Sequence, residues 1–464
     1  MKAIFSLLAV AFCAFTPLFA QAPAIQWQNT IGGSSFDALY SIQQTADGGY
    51  ILGGYSLSNI SGNKTENSLG QSDYWIVKLN ATGTIQWQNT IGGNGPDGLK
   101  SLQQTADGGY ILGGYSYSDI SSDKTENSIG NGDYWVLKLD AAGAIQWQNT
   151  IGGNNDEDLK FLQQTADGGY ILGGYSFSNI SGDKTENSNG VADYWVVKLG
   201  ASGAIQWQNT IGGSGADFFT SLQQTADGGY ILGGSSNSNI SGDKTENGIG
   251  NGDYWVVKLD ATGTIQWQNT IGGSGSDAIT SVHQTADGGY IVGGFSDSDI
   301  SGDKTENSLG GDDFWVVKLN EAGGVQWQKT IGGSSDDVLY ILQQAADDGY
   351  ILGGWSNSNI SGDKTENSNG EIDYWVIKLA QYVPTGEAPT APARITIFPN
   401  PTNDALFVRS DAATTLCLRN AFGQVLSTQT IQGQDKIDIS RYPNGIYFLV
   451  EMDKGIGHKI VKNN

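Results

Sequence analysis

A nine-residue segment, IQWQNTIGG, begins at Ile25 and returns at Ile85, Ile145, Ile205 and Ile265, then as VQWQKTIGG at Val325, always 60 residues further on. A second landmark, DYWVVKL in its variants, starts at Asp73, Asp133, Asp193, Asp253, Asp313 and Asp373. A chain with so strict a period folds as a stack of equivalent supersecondary units, each burying its apolar face on its neighbours. The array opens on the first landmark and stops just after the sixth copy of the second. It is offset by one element, as though the first piece of chain completed the last unit.

Each unit breaks at glycine and at Asp or Asn into four short runs of strand character. In the first unit these are 38–45, 50–56, 74–79 and 85–91. Thr45-Ala46-Asp47-Gly48-Gly49-Tyr50 signals a tight hairpin, because Asp-Gly tolerates positive φ. Residues 80–84 signal a second hairpin, with Gly83 at the left-handed position. The fourth run alternates Ile85, Trp87, Asn89 and Ile91 against Gln86, Gln88 and Thr90, the period of a strand wet on one face. The second and third runs are nearly continuous in apolar residues, as in strands covered on both sides.

Four such strands make a propeller blade. The expectation is therefore all-β: a six-bladed β-propeller over residues 21–380. The sixth blade has runs near 338–345, 350–356 and 374–379 but no fourth run, and residues 25–31 are the spare copy. A ring closed by that amino-terminal strand has no open edge; a linear β-solenoid, the competing architecture, has no use for the offset. Two tryptophans per unit, typified by Trp75 and Trp87, are assigned to packing between blades. Glycine, 67 residues of 464, stands at about twice its usual share, as many tight turns require.

The pattern W-x-x-T-I-G-G-x-x-x-D, D-G-G-Y-I-x-G-G-x-S-x-S, D-Y-W-V-V-K-L-x-x-x-G-x-I-x-W resembles the bacterial SBBP-type β-propeller repeat, over roughly residues 25–379. The resemblance implies a propeller and an extracellular setting, and carries no catalytic residues with it.

Both ends of the chain read as export machinery. Residues 1–20 have the charge, apolar stretch and small-residue ending of a secretory signal. No other stretch could cross a bilayer. Cys417 is then the only cysteine left, so no internal disulfide forms. Residues 381–393 are a Pro-rich linker. Residues 394–464 lose the 60-residue period and alternate as seven short strands, suggesting a small antiparallel β-sandwich. This segment resembles the C-terminal sorting domain of type IX secretion in Bacteroidetes. The matching residues are Pro399, Asn400 and Pro401, Gly423 in its turn, Gly445 and Tyr447, and the terminal Lys459 and Lys462. The resemblance implies passage across the outer membrane through that machinery, removal of the domain, and release or attachment at the cell surface.

Charge and absences narrow the function. Residues 21–393 carry fifteen basic against forty-two acidic side chains, which repels nucleic acid and anionic lipid. All four arginines, Arg394, Arg409, Arg419 and Arg441, lie beyond the array, so a sialidase-like carboxylate clamp is excluded. His283 is the array's single histidine, which excludes a histidine-ligated metal centre. No nucleophile–base pair or phosphate loop is recognisable, and no cofactor is expected. Asp303 and Glu306, in the S-G-D-K-T-E-N loop, could ligate calcium through carboxylate oxygens, or could order the loop by local hydrogen bonds.

The units differ most at Ser34–Tyr40 and its counterparts and at the position of Leu57, on loops of one face. Tyr40, Tyr117, Phe177, Phe218 and Asp297 are therefore the candidate ligand-binding residues. The reading is a non-enzymatic binding or adhesion module contacting an extracellular glycan or protein. The alternatives are a polysaccharide hydrolase or lyase using loop carboxylates, and an inert surface-structural protein.

Overall fold

The computed structural model describes residues 27–381 continuously, and most of 396–462. The expected signal sequence and the Pro-rich linker beyond Gln381 lie outside the described residues. The chain divides into two compact bodies, residues 1–380 and 381–464.

The array is all-β among the described residues, and holds five four-stranded antiparallel sheets followed by one of three strands. In sheet 1 the strands are Asp37–Gln44, Tyr50–Ser56, Asp73–Leu79 and Ile85–Ile91, in that order across the sheet. The expected hairpins form: Thr45 and Asp47 close the first around Gly48 at φ +80°, and Gly83 sits at φ +82° in the second. Each first strand carries a bulge, where Tyr40 stands unpaired between Leu39 and Ser41. The bulge recurs in the other sheets at Lys100, Thr220, Thr280 and Tyr340.

The core lies between sheets. Tyr74 and Ile76 of sheet 1 pack with Leu99, Leu102, Leu112 and Trp135 of sheet 2, and the same set recurs at the next junctions. At each, a third-strand tyrosine tilts against the next sheet's third-strand tryptophan, with centroids 5.0 Å apart for Tyr74 and Trp135. Tyr74 Oη also donates to the Trp135 carbonyl at 3.0 Å. The tyrosine enters beside Gly114, where any side chain would strike its hydroxyl. Fourth-strand tryptophans work differently: Trp87 meets Tyr110 of the following sheet edge-on at 5.7 Å. Both tryptophan sets thus pack between sheets, as expected.

The two ends of the array depart from the expected ring. Among the described residues no strand pairs with the outer edge of Asp373–Leu379, and Trp27–Ile31, the described part of the strand expected there over 25–31, forms no sheet pairing. The segment lies instead against sheet 1, where Trp27 meets Tyr50 edge-on and Asn29 Nδ2 donates to the Gly83 carbonyl. Tyr374 is 95% exposed, whereas its counterparts Tyr74, Tyr134, Tyr194 and Tyr254 are fully buried. Leu39 and Ile42 of sheet 1 are likewise exposed, while Leu99 and Leu102 at the same positions of sheet 2 are buried.

Among its described residues the carboxy-terminal body holds five strands joined by hydrogen bonds, where seven short strands were expected. Ala405–Asn420 and Val425–Asp438 each run through two expected strands, paired to each other with a register shift between Ser410 and Thr414. Both halves of this long pair feed one core, through Leu406, Val408, Leu416, Leu418, Ile431 and Ile437. Alternation alone did not reveal that the ladder continues across the shift.

Candidate functional site

Fifteen lysines supply all the cations of residues 21–393. Twelve of them occupy two repeated structural seats. In the first, Lys64, Lys124, Lys184, Lys244, Lys304 and Lys364 are 1–6% exposed at the long loop between second and third strands. Lys124 Nζ donates to Thr150 Oγ1 and to the Glu126 carbonyl, and lies 5.7 Å from the Trp135 ring centroid. In the second, Lys78 and its counterparts at 138, 198, 258, 318 and 378 pair with the hairpin aspartates, as with Asp47 at 2.9 Å. The hydroxyl of Thr105 and the ammonium of Lys138 together hold the Asp107 carboxyl down at about 2. Sequence reasoning missed these seats, although six copies of Lys at one position of the period were visible.

Three lysines remain: Lys100, Lys160 and Lys329. Lys329 pairs with Glu306 on the outer strand of sheet 5. Lys100 and Lys160 stand at the bulges of sheets 2 and 3, where Thr220 and Thr280 of the next two sheets bond backbone carbonyls instead. The bulge turns each lysine onto aromatic rings. Lys100 Nζ lies 4.1 Å from the Tyr40 centroid and 5.5 Å from that of Tyr115, a cation–π arrangement. Lys160 Nζ lies 5.2 Å from the Tyr175 centroid and 2.6 Å from Asp158 Oδ2.

Several of these groups line a cleft of about 490 Å3 between sheets 2 and 3, among them Lys100, Tyr115, Tyr117, Asp156, Asp158 and Tyr175; Lys160 borders it through Asp158 and Tyr175. Tyr117 is 46% exposed and meets Tyr115 edge-on; Phe177 does the same to Tyr175. Burial and the neighbouring Asp156 push the Tyr117 phenol up to about 12. Tyr175 Oη donates to Asp158 Oδ2 at 3.1 Å, while Asp158 Oδ1 is buried and accepts nothing among the described residues. Burial pushes Lys100 down, against the pull of Asp158.

Glu157 also lines the cleft, yet its carboxyl fills a structural seat. It accepts from Gly153 N–H, at 2.8 Å, and from Ser176 Oγ, as Asp97 and Asp337 accept from Gly93 and Gly333 N–H in their own sheets. Burial pushes Glu157 up to about 7 and Asp97 to about 6.

Four of the five candidate residues therefore belong to one surface. Tyr117 and Phe177 line the cleft, Tyr40 reaches it through Lys100, and Phe218 packs on Tyr175 at 5.2 Å. Tyr40 and Phe218 stand on first strands rather than on loops. Asp297 lies elsewhere: its Oδ1 accepts from Ser276 N–H, and its charge helps raise Asp312 after burial has done so. The loops joining fourth to first strands and second to third strands do share a face, since Asn94 and Gly95 N–H donate to Ser121 and Ser118. Lys100, Asp156 and Asp158 were the residues missed; their signal was a departure from the repeat consensus at bulge and loop positions.

Asp303 and Glu306 hold the loop by hydrogen bonds. Asp303 Oδ2 accepts from Gly272 N–H at 3.3 Å and Glu306 Oε2 from Thr330 N–H at 2.6 Å. Among the described residues no three His, Cys, Asp or Glu side chains are placed to hold a metal ion.

In the carboxy-terminal body Tyr447 is buried and its hydroxyl donates to the Pro443 carbonyl, while the Lys462 ammonium bonds the Ser440 carbonyl at 2.9 Å and that of Tyr442. Gly445 opens the strand that pairs with Gly457–Lys462, which contains Lys459. Pro399, Asn400, Pro401 and Gly423 lie outside the described residues. Residues 396–463 match the secretion system C-terminal sorting domain. The sorting domain marks the chain for type IX secretion, and so for export across the outer membrane to the medium or the cell surface. Among the described residues no helix is long and apolar enough to cross a membrane.

No curated protein matches the chain. Solved structures with some likeness include BBS1N in complex with ARL6DN, at 11% identity over 75% of this chain and 94% of that one, with a TM-score of 0.36. A mutant of the Synechocystis apocarotenoid oxygenase gives 10%, 88%, 97% and 0.36, and the glycoside hydrolase family 32 protein from Bifidobacterium adolescentis 8%, 91%, 93% and 0.28. Scores this low carry no functional argument.

Proposed function

We propose that this is an exported binding module whose contact surface is the aromatic and charged cleft between sheets 2 and 3. The observation that carries the reading is the pair Lys100 and Lys160: they stand outside the array's structural lysine seats and share one aromatic surface with Tyr40, Tyr117 and Phe177. Divergence of otherwise near-identical units at the loops and bulges that border this cleft is what a recognition surface on a rigid scaffold requires. Catalysis is the weaker reading. A glycosidase needs two carboxyls free to act as acid and base, and here Glu157 is committed to Gly153 and Ser176, Asp158 Oδ2 to Lys160 and Tyr175, and Asp156 Oδ1 accepts from Gly132 N–H. The test is adhesion of the labelled full chain to immobilised extracellular polysaccharide and to protein-coated beads. Replacing both Tyr117 and Phe177 by Ala should cut adhesion at least about ten-fold; undiminished adhesion would sink the reading. Release of reducing ends, lost in Asp158→Asn, would instead make it a hydrolase.

The scaffold we infer is a ring of SBBP-type blades, closed at the ends. Three features support closure. Trp27 and Asn29 already hold, against sheet 1, the contacts that Trp87 and Asn89 make with sheet 2. A cavity of about 200 Å3 on sheet 1, lined by Leu52, Gly54, Trp75 and Val77, matches the seat that Tyr74 fills beside Gly114 and Trp135 on sheet 2. Tyr374 is the one third-strand tyrosine without such a seat among the described residues. In a closed monomer Tyr374→Ala removes a buried ring and costs about 3–5 kcal/mol in denaturant unfolding, like Tyr134→Ala. A loss under about 0.5 kcal/mol, the level of a surface change, means the ends stay apart.

A further inference from the structure

We infer that the cleft between sheets 2 and 3 takes a neutral, hydroxyl-rich ligand, one or two sugar rings of an extracellular glycan, rather than a charged peptide. This rests on the binding reading above and gives it a chemical class.

Local charge sets the class. Lys100, Asp156 and Asp158 line the cleft and Lys160, outside that lining, pairs with Asp158 at 2.6 Å, while Glu157 is bound up in its structural seat. Two cations balance two carboxylates, so the cleft is close to neutral inside an array that is strongly acidic overall. A basic peptide would bring like charge against Lys100, which has no carboxylate partner within ion-pair distance among the described residues. An acidic peptide would meet Asp156, Asp158 and the field of the whole array. Neither charge sign is welcomed.

Hydrogen bonding then sets the chemistry. The Lys100 ammonium offers N–H donors that no acceptor among the described residues takes up. The carboxylates of Asp156 and Asp158 supply acceptors to the same lining, and donors and acceptors in one cleft suit a partner whose groups both donate and accept, as hydroxyls do. Flanking Tyr117 and Phe177 add ring surface against which the apolar face of a sugar can lie. The cleft volume falls in the range of small-ligand sites.

The test is a glycan array bearing neutral, uronic and amino-sugar oligosaccharides, probed with the full chain, followed by calorimetry on the best neutral ligand. Oligolysine and oligoglutamate serve as competitors. Binding to neutral glycans is expected. Tyr117→Ala and Asp158→Ala should each weaken it about ten-fold or more, and Glu321→Ala, remote from the cleft in sequence and sheet, should not. Displacement of adhesion by either charged peptide, with Tyr117→Ala still abolishing that adhesion, overturns the ligand class and leaves the binding module standing. Silence across the neutral glycans also overturns it. If adhesion survives loss of Tyr117 and Phe177 as well, the cleft itself is refuted.

Discussion

A buried lysine beside a tryptophan recurs five times among the described residues of this protein, and it behaves as a packing residue. Lys124 fills space against Trp135, binds Thr150 and the Glu126 carbonyl, and is drawn toward the buried Asp133 and Asp97. Lys124→Ala should cost about 3–5 kcal/mol in urea unfolding, since it leaves a cavity and strands two carboxyls without their counter-charge. Lys124→Met keeps the volume but not the charge, and the part of the loss it restores measures how much of the seat is packing. Reading such seats needs the period: one lysine in a polar loop looks solvated, and six at the same phase are a structural position. The cleft residues were legible by the converse rule, as departures from that phase. What composition concealed was the bulge, which lifts Lys100 and Lys160 from strand positions onto neighbouring rings.

At the level of the element, the units test themselves. Five first hairpins place glycine at positive φ, from Gly48 to Gly288, while the sixth has Asp348 at φ +59°. An L-residue there is strained, and Asp348→Gly should stabilise the protein by about 0.5–1 kcal/mol, read as a shift in the urea midpoint with an unchanged slope. Hairpins and strand order followed from the sequence, because each rests on contacts within one 60-residue block; the expected wet face of the fourth strand holds only at Gln86, since Gln88 is half-buried and Thr90 is buried. The strand pairing expected between residues 27–31 and the sixth sheet is not formed; a contact between the two ends depends on how all six sheets stack, which no single block's pattern encodes. The long strands of the sorting domain were missed for a related reason: a register shift interrupts alternation without ending the ladder.

At the scale of the whole molecule, pH should govern stability through two opposed sets of carboxyls. Burial lifts Asp97 and Asp193 to about 6 and Glu157 to about 7. Their folded forms hold protons that the unfolded chain has already released, so stability is fullest below about pH 4 and declines as pH rises through 6 and 7. Hydrogen bonds from Thr105 and Thr165 hold Asp107 and Asp167 down at about 2, and their contribution disappears as pH falls toward that value. The melting temperature should climb from pH 8 to about pH 5 and drop below about pH 3; a flat profile between 5 and 8 would show that the buried acids are ionised in the folded protein throughout that range. Salt should raise it at pH 8 by screening the array's excess negative charge.

The one-element offset has a corollary. Adding or removing a whole 60-residue block leaves the same tryptophan-bearing segment first and the same tyrosine-bearing strand last. In the closed ring proposed above, the number of blocks can therefore change without a new joining contact.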